Sequence, residues 1–307
     1  MTVLLTVLEQ GLIFGILALG VYLTYKVLDF ADLSVEGTFP LGASITALLL
    51  TQGINASVAI FISFIGGMLA GAVTGLLHVK LKITNLLSGI LVMSGLYSIN
   101  LRVMGNRANI ALFNQKHLFS TSLPTLLTIV LVVMVVKLLV DLFLKTKFGF
   151  MVKATGDNPQ LVTTLGVHIG FVKIVCLMIS NGLVGLAGSL SAQYQGYADV
   201  TMGTGTIVIG LAAVIFGEAI FKKSSWILPT TTAIIGAILY QGCTALALQF
   251  GFPPNDLKLL SAAIVTLALA LNHYHFKVTL FKKHEMKGGI RDVKDPTTEQ
   301  NFLSEHS

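Results

Sequence analysis

Apolar runs of about 20 residues, parted by short polar loops, recur from residue 1 to about residue 276 of this 307-residue chain, each near the length that crosses a bilayer core. In hydrocarbon every backbone polar group must be satisfied inside the protein, so such a chain folds as packed helices. Composition agrees. Only 11% of residues are charged and 54% are hydrophobic, against about 25% charged in soluble domains. The expected fold is all-α, a polytopic transmembrane helical bundle of about nine spans, some discontinuous. Candidate spans lie at 5–27, 38–53, 56–78, 86–104, 123–144, 169–194, 204–221, 225–249 and 257–275. The second and fourth are short or interrupted by Gly and Ser, which suits a broken or re-entrant element. Residues 1–276 form the expected membrane domain and 277–307 a polar cytoplasmic tail.

The formal net charge is +6, but the lysines sit at the ends of apolar runs and not in one patch, so nucleic acid is not an expected partner. If the spans alternate, Lys26, Lys80, Lys82, Lys145, Lys147, Lys153, Lys173, Lys222, Lys223, Lys277, Lys282 and Lys283 share one side. Arg102, Arg107, Lys116 and Lys258 share the other. The lysine-rich side is cytoplasmic, which puts the C-terminus inside and the N-terminus outside. The first twenty residues carry no basic leading region or small-residue cleavage site, so the first span is expected to be retained. Cys176 and Cys243 lie in separate apolar runs without metal-ligand spacing and read as packing residues.

Polar groups kept at bilayer depth are costly and mark function. The densest such place is LDFADLSVEGTFPLGA, residues 28–43, which holds Asp29, Asp32, Ser34, Glu36 and Thr38, with Gly37 and Pro40 placed to break the helix. It reads either as a solvated cytoplasmic turn or as a discontinuous helix facing a transport path. Asn100, Gln193 and Tyr194 are bulky polar residues near the outer ends of spans, and Tyr97, Asn100 and Gln193 join the candidate pathway. The smaller hydroxyl residues around them, and Asn181, read as interhelix packing. Lys137 and Asp141, four apart, are expected to pair.

The longest internal loop contains GDNPQLVTTLG, Gly156 to Gly166. Asp157 or Asn158 is the expected N-cap, Pro159 the first helical residue and Gly166 the stop. Leu161, Val162 and Leu165 give this short helix an apolar stripe, which suits either a buttress on its own bundle or a docking element for a cytoplasmic partner. No GxxxxGK[ST] phosphate loop is present, so energy must come from elsewhere. The histidines are scattered and no catalytic or metal-ligand set is evident, so the chain is expected to be neither an enzyme nor a metalloprotein. An ion-coupled secondary transporter using Asp29, Asp32 or Glu36 is the alternative, although no inverted repeat is evident.

Three segments carry a resemblance. GLIFGILALGVYLTYKVLDFADLSVEGTFPLGA, GDNPQLVTTLGVHIGFVKIVCLMISNGLVGLAGSLSAQYQG and TMGTGTIVIGLAAVIFGE resemble, in that order, the Gly/Ala-rich early helix, the coupling loop and the IAAVVLGG-like segment of bacterial ABC importer permeases of the branched-chain amino acid, ribose and nucleoside class. Within it, the acid-bearing segment is most similar to tryptophan/tyrosine-type permeases. The chain departs from the pattern at Gln160 to Thr164, where the family favours an Ala pair, and at Phe216-Gly217-Glu218, where it favours Gly-Gly. The resemblance implies a homodimer in the bacterial cytoplasmic membrane, surrounded by lipid, with two cytoplasmic ATPase subunits that bind ATP and an extracytoplasmic solute-binding protein. It implies no cofactor in this chain, an aromatic amino acid as the best-fitting small solute, and ATPase coupling through Gly156, Asp157, Asn158, Pro159, Leu161 and Gly166.

Overall fold

The computed structural model describes residues 2–120, 123–221 and 227–251, with isolated positions to Thr266. Within them the chain forms helices α1 (Thr2–Val21), α2 (Val35–Thr51), α3 (Ala56–Lys80), α4 (Asn85–Val103), α5 (Thr125–Lys145), α6 (Lys147–Asp157), α7 (Pro159–Thr164), α8 (Ile169–Gln195), α9 (Thr206–Phe221) and α10 (Pro229–Gln249). Six helical stretches are long and apolar enough to cross a membrane, with α2 and α9 shorter at 17 and 16 residues. The last expected span, 257–275, and the tail lie outside the described residues.

Helix α8 is the centre of the bundle. Its run from Ser180 to Gln193 is almost entirely buried, packed on α3, α2 and α1. The close approach to α3 has a compositional cause: Gly67, Gly71 and Gly75 recur every fourth residue, and a Cβ at Gly67 or Gly71 would strike the α8 backbone at Asn181 or Leu177. Small-residue stripes of this kind let helix backbones meet where lipid offers no hydrophobic drive. Helix α5 shows the opposite pattern. Ile129, Val133, Val136, Val140 and Leu144 form one buried stripe, while Leu131, Met134, Val135, Leu138 and Leu139 face outward.

Helix α1 ends irregularly. Tyr22–Val27 is a π-helical turn, closed by a bond from the Leu28 amide to the Leu23 carbonyl five residues back (3.1 Å). Such turns are rare and frequently accompany functional sites. Asp29 then takes a left-handed conformation (φ 55°), and the Phe30 amide donates to the Thr24 carbonyl at 2.8 Å. This bond caps α1, and α2 begins at Val35. Here the structure corrects the sequence reading. Gly37 and Pro40 lie inside a continuous α2, and the break precedes it. Pro40 has no N–H for the Glu36 carbonyl, and Gly203, lacking a Cβ, seats its backbone against that carbonyl and the Pro40 ring. Helix α4 is likewise continuous over 19 residues.

The two ends of the bundle are distinct. At one, strand β1 (Asn109–Ala111) between α4 and α5 pairs antiparallel with β2 (Tyr197–Asp199) between α8 and α9, Asn109 opposite Asp199. At the other, Lys26 bridges Glu218 of α9 at 2.8 Å, and Lys173 of α8 meets His78 of α3 at 3.1 Å. Helices α6 and α7 lie at this lysine-bearing end, where a Cβ on Gly156 would strike the Val27 carbonyl.

Candidate functional site

The acidic segment divides into two environments. Asp32 is 1% exposed. One carboxylate oxygen accepts the Ser34 amide at 2.9 Å and hydroxyl at 2.6 Å; the other accepts Asn181 Nδ2 of α8 at 2.7 Å. The Asn181 side-chain carbonyl in turn accepts the Thr38 hydroxyl at 2.7 Å and lies 3.2 Å from the Ser34 hydroxyl oxygen, whose one proton goes to Asp32. This closed network rivets the start of α2 to the middle of α8. Asn181 had looked like one more packing residue in the sequence; its partners lie roughly 150 positions away, beyond the reach of any local pattern.

Four residues further on, Glu36 faces a cavity of about 420 Å3, with Gly37, Pro40, Met93, Ser94, Tyr97, Asn100, Val200, Thr201 and Thr204 as its other walls. Three of the sequence-derived pathway residues, Glu36, Tyr97 and Asn100, therefore meet at one place. Glu36 Oε1 accepts the Gly205 amide at 3.0 Å, which ties α2 to the segment that leads into α9. Asn100, on α4, is wholly buried and its Nδ2 donates to the Gly37 carbonyl at 3.2 Å. The wall formed by residues 200–204 was not anticipated; the glycine-rich TMGTG run is the signal that could have marked a backbone closing over a pocket.

The remaining candidates lie elsewhere. Asp32 and Ser34 sit behind the cavity in the network with α8. Asp29 is exposed at the reversal after the π turn. Gln193 is buried and accepts the Leu118 amide at 2.9 Å, which ties the α4–α5 connection to α8. A second cavity, about 820 Å3, opens beyond Thr204 between α1, α9 and α10 and is lined by Thr6, Gln10, Gln241 and Thr244 among apolar neighbours.

The segment from Gly156 to Gly166 folds as its local signals predict. Asn158 caps α7, its side chain accepting the Leu161 amide at 3.2 Å, with Pro159 at the first turn. Gly166 is left-handed at φ +74°. Of the apolar stripe, Val162 is buried, whereas Leu161 is 54% and Leu165 71% exposed. The Lys137–Asp141 pair forms at 2.6 Å and is anchored by the Thr230 hydroxyl of α10 at 2.5 Å, a structural lock between α5 and α10.

Six helical stretches long and apolar enough to cross a bilayer, among the described residues, define a multi-pass membrane protein. The chain belongs to the branched-chain amino acid transport system permease component family, whose pattern matches residues 3–270. It is 48% identical over 278 residues to the tyrosine transport system permease protein of Clostridioides difficile, covering 91% of this chain and 94% of the relative. It is 32% identical over 215 residues to an autoinducer 2 import system permease protein of Escherichia coli, covering 68% of this chain and 60% of the relative. With a nucleoside ABC transporter permease protein of Lactococcus lactis it shares 27% identity over 237 residues, covering 67% and 74%. No solved structure matches the chain.

Proposed function

We propose that this chain is the membrane-spanning subunit of an ABC importer for an aromatic amino acid, tyrosine being favoured by the relative in C. difficile. The observation that carries the energy-coupling half is the α6–α7 shelf, which stands between two spans and presents exposed Leu161 and Leu165. A preformed, capped helix with bare leucines suits a groove on a cytoplasmic ATPase. Movement of that partner reaches the pathway along a short route. Gly156 of α6 packs against Val27 at the end of the π turn, and the Asp32 network and the Glu36 cavity follow within ten residues of it. An extracytoplasmic binding protein delivers the solute, and two copies of this chain and two ATPase subunits complete the assembly. ATP binding closes the ATPases, and the pathway then alternates between its two openings.

The test is uptake of labelled tyrosine into proteoliposomes holding the whole complex. Uptake should require ATP inside the ATPase-bearing compartment and the binding protein outside it. Uptake by the purified chain alone, driven by a proton or sodium gradient, would establish the secondary-transporter reading instead.

A further inference from the structure

At the lysine-bearing end of the bundle one cation is held in place without an anion. Lys173, in the second turn of α8, is partly buried, and its Nζ lies 3.1 Å from His78 Nε2 of α3. His78 Nδ1 lies 2.8 Å from the Ile83 carbonyl, which can only accept, so Nδ1 carries the ring proton and Nε2 accepts from the ammonium. An ammonium has three donors, and among the described residues the other two on Lys173 meet no acceptor. Lys80, the last residue of α3, and Lys82 just beyond it are both exposed. This end of α3 packs on the start of α8: a Cβ on Gly170 would strike Val79, and one on Gly75 would strike Ile174. The bond from His78 to Ile83 brings Lys82, left-handed at φ 54°, back to the same contact. Among the described residues no carboxylate pairs with any of these lysines. That includes Asp29, although its neighbour Phe30 meets the His78 ring edge-on at 5.1 Å.

We propose that this junction of α3 and α8 binds the phosphate of an anionic phospholipid of the cytoplasmic leaflet, with Lys173 as its inner contact and Lys80 and Lys82 as its outer ones. Like charges brought together without a carboxylate repel one another. A bound phosphate offsets that repulsion and accepts the spare Lys173 protons in charge-assisted hydrogen bonds. The surroundings select a lipid over a soluble anion. Leu76, Leu81, Leu86 and Phe171, close in the chain to the lysines, are all exposed, so apolar surface for acyl chains borders the cations. Basic pockets between spanning helices on the cytoplasmic side hold lipid headgroups in this way. The site also has a route into the bundle. Phe30 touches His78 and lies two residues before Asp32, so an occupied site braces the segment that enters the buried Asp32 network.

The test is native mass spectrometry of the full chain in a neutral detergent, titrated with dioleoylphosphatidylglycerol, dioleoylphosphatidylcholine or sodium phosphate. Phosphatidylglycerol should bind more tightly than phosphatidylcholine. Lys80→Gln and Lys82→Gln should each weaken phosphatidylglycerol about fivefold, the worth of one cation near an anionic surface. Both side chains are exposed and make no hydrogen bond among the described residues, so these variants keep the fold. Lys173→Gln, which also loses the His78 contact, should cost more. Lys147, an exposed cation on α6, is the control: Lys147→Gln should leave the affinity unchanged. Phosphatidylglycerol should raise the thermal midpoint of the unaltered chain and raise it less in the Lys80→Gln, Lys82→Gln double variant. Equal affinity for the two lipids, or an equal loss with Lys147→Gln, would mean diffuse attraction and overturn the proposal. Displacement of phosphatidylglycerol by millimolar sodium phosphate would overturn it too, by making the site one for a soluble anion.

Discussion

Asp32 and Glu36 are four positions apart and look interchangeable in the sequence, yet their surroundings assign them different work. The Asp32 carboxylate holds three donors in a fully buried network, so Asp32→Ala strands the Ser34 amide and one N–H of Asn181 Nδ2, whose other N–H stays on the Leu177 carbonyl, at a cost of about 1–3 kcal/mol for a buried donor left unpaired. We expect a clear fall in thermal stability of the purified protein, read by thermal unfolding in detergent, with transport lost only in proportion to folded protein. Glu36 accepts the Gly205 amide at the rim of a cavity. Glu36→Gln keeps the shape and an acceptor, so the unfolding midpoint should shift little while uptake falls severalfold. Equal destabilisation by both would mean that Glu36, too, is a rivet. The acidic run was plain in the sequence because carboxylates in an apolar setting stand out. Which carboxylate was sealed off and which faced open space was not, because that depends on Asn181 and Gly205, remote in sequence and adjacent only in the folded bundle.

Among the elements, α7 was the most legible. Cap, proline and glycine stop are local signals, and each sits where its chemistry requires it. The strand pair β1–β2 left no such trace, since three residues per strand are too few to show alternation. Gly166→Val forces a β-branched residue into left-handed backbone, and Asn158→Ala removes a cap worth about 0.5–2 kcal/mol. Both should lower uptake and solute-stimulated ATP hydrolysis together, with the affinity of the binding protein for solute unchanged; a drop in uptake alone would place α7 outside coupling. The strand clasp should depend on pH. Burial pushes the Asp199 carboxyl up, but hydrogen bonds from the Thr201 hydroxyl and amide and from Asn109 outweigh it and hold the group below the ordinary carboxylate value. A depressed folded pKa contributes stability above the unfolded value of 3.8 that is lost as pH falls through the folded one. Hydrogen exchange at the amides of Asn109–Ala111 should therefore be pH-insensitive in protection near neutrality and lose protection in acid, and Asp199→Asn should remove that acid step.

At the scale of the whole molecule, the length and spacing of the apolar runs determined the helical bundle, since bilayer thickness leaves few other solutions. The interruption at 28–34 was expected inside the second span at Gly37 and Pro40. It falls before the span because Asp29 can turn the chain in a left-handed conformation and Gly203 shelters the Pro40 site, neither of which a propensity can anticipate. The ends of the bundle are internally consistent with alternating crossings. The α4–α5 and α8–α9 connections must share one end because β1 and β2 are hydrogen-bonded partners, and α6–α7 lies at the other, against the end of α1. Lysines concentrate at that second end, which the positive-inside rule makes cytoplasmic. This fixes a topology experiment that depends on no functional assumption. Asn114 in the α4–α5 connection and Thr163 on α7 are both exposed, so a cysteine at either position can be labelled without entering the core. In a background without Cys176 and Cys243, a membrane-impermeant maleimide added to intact cells should label Asn114→Cys and not Thr163→Cys. Everted vesicles should reverse the pattern. Labelling of both from the same side would require an odd number of crossings to be lost between residues 114 and 163, where α5 is the sole spanning helix described, and would undo the cytoplasmic placement of the coupling shelf with it.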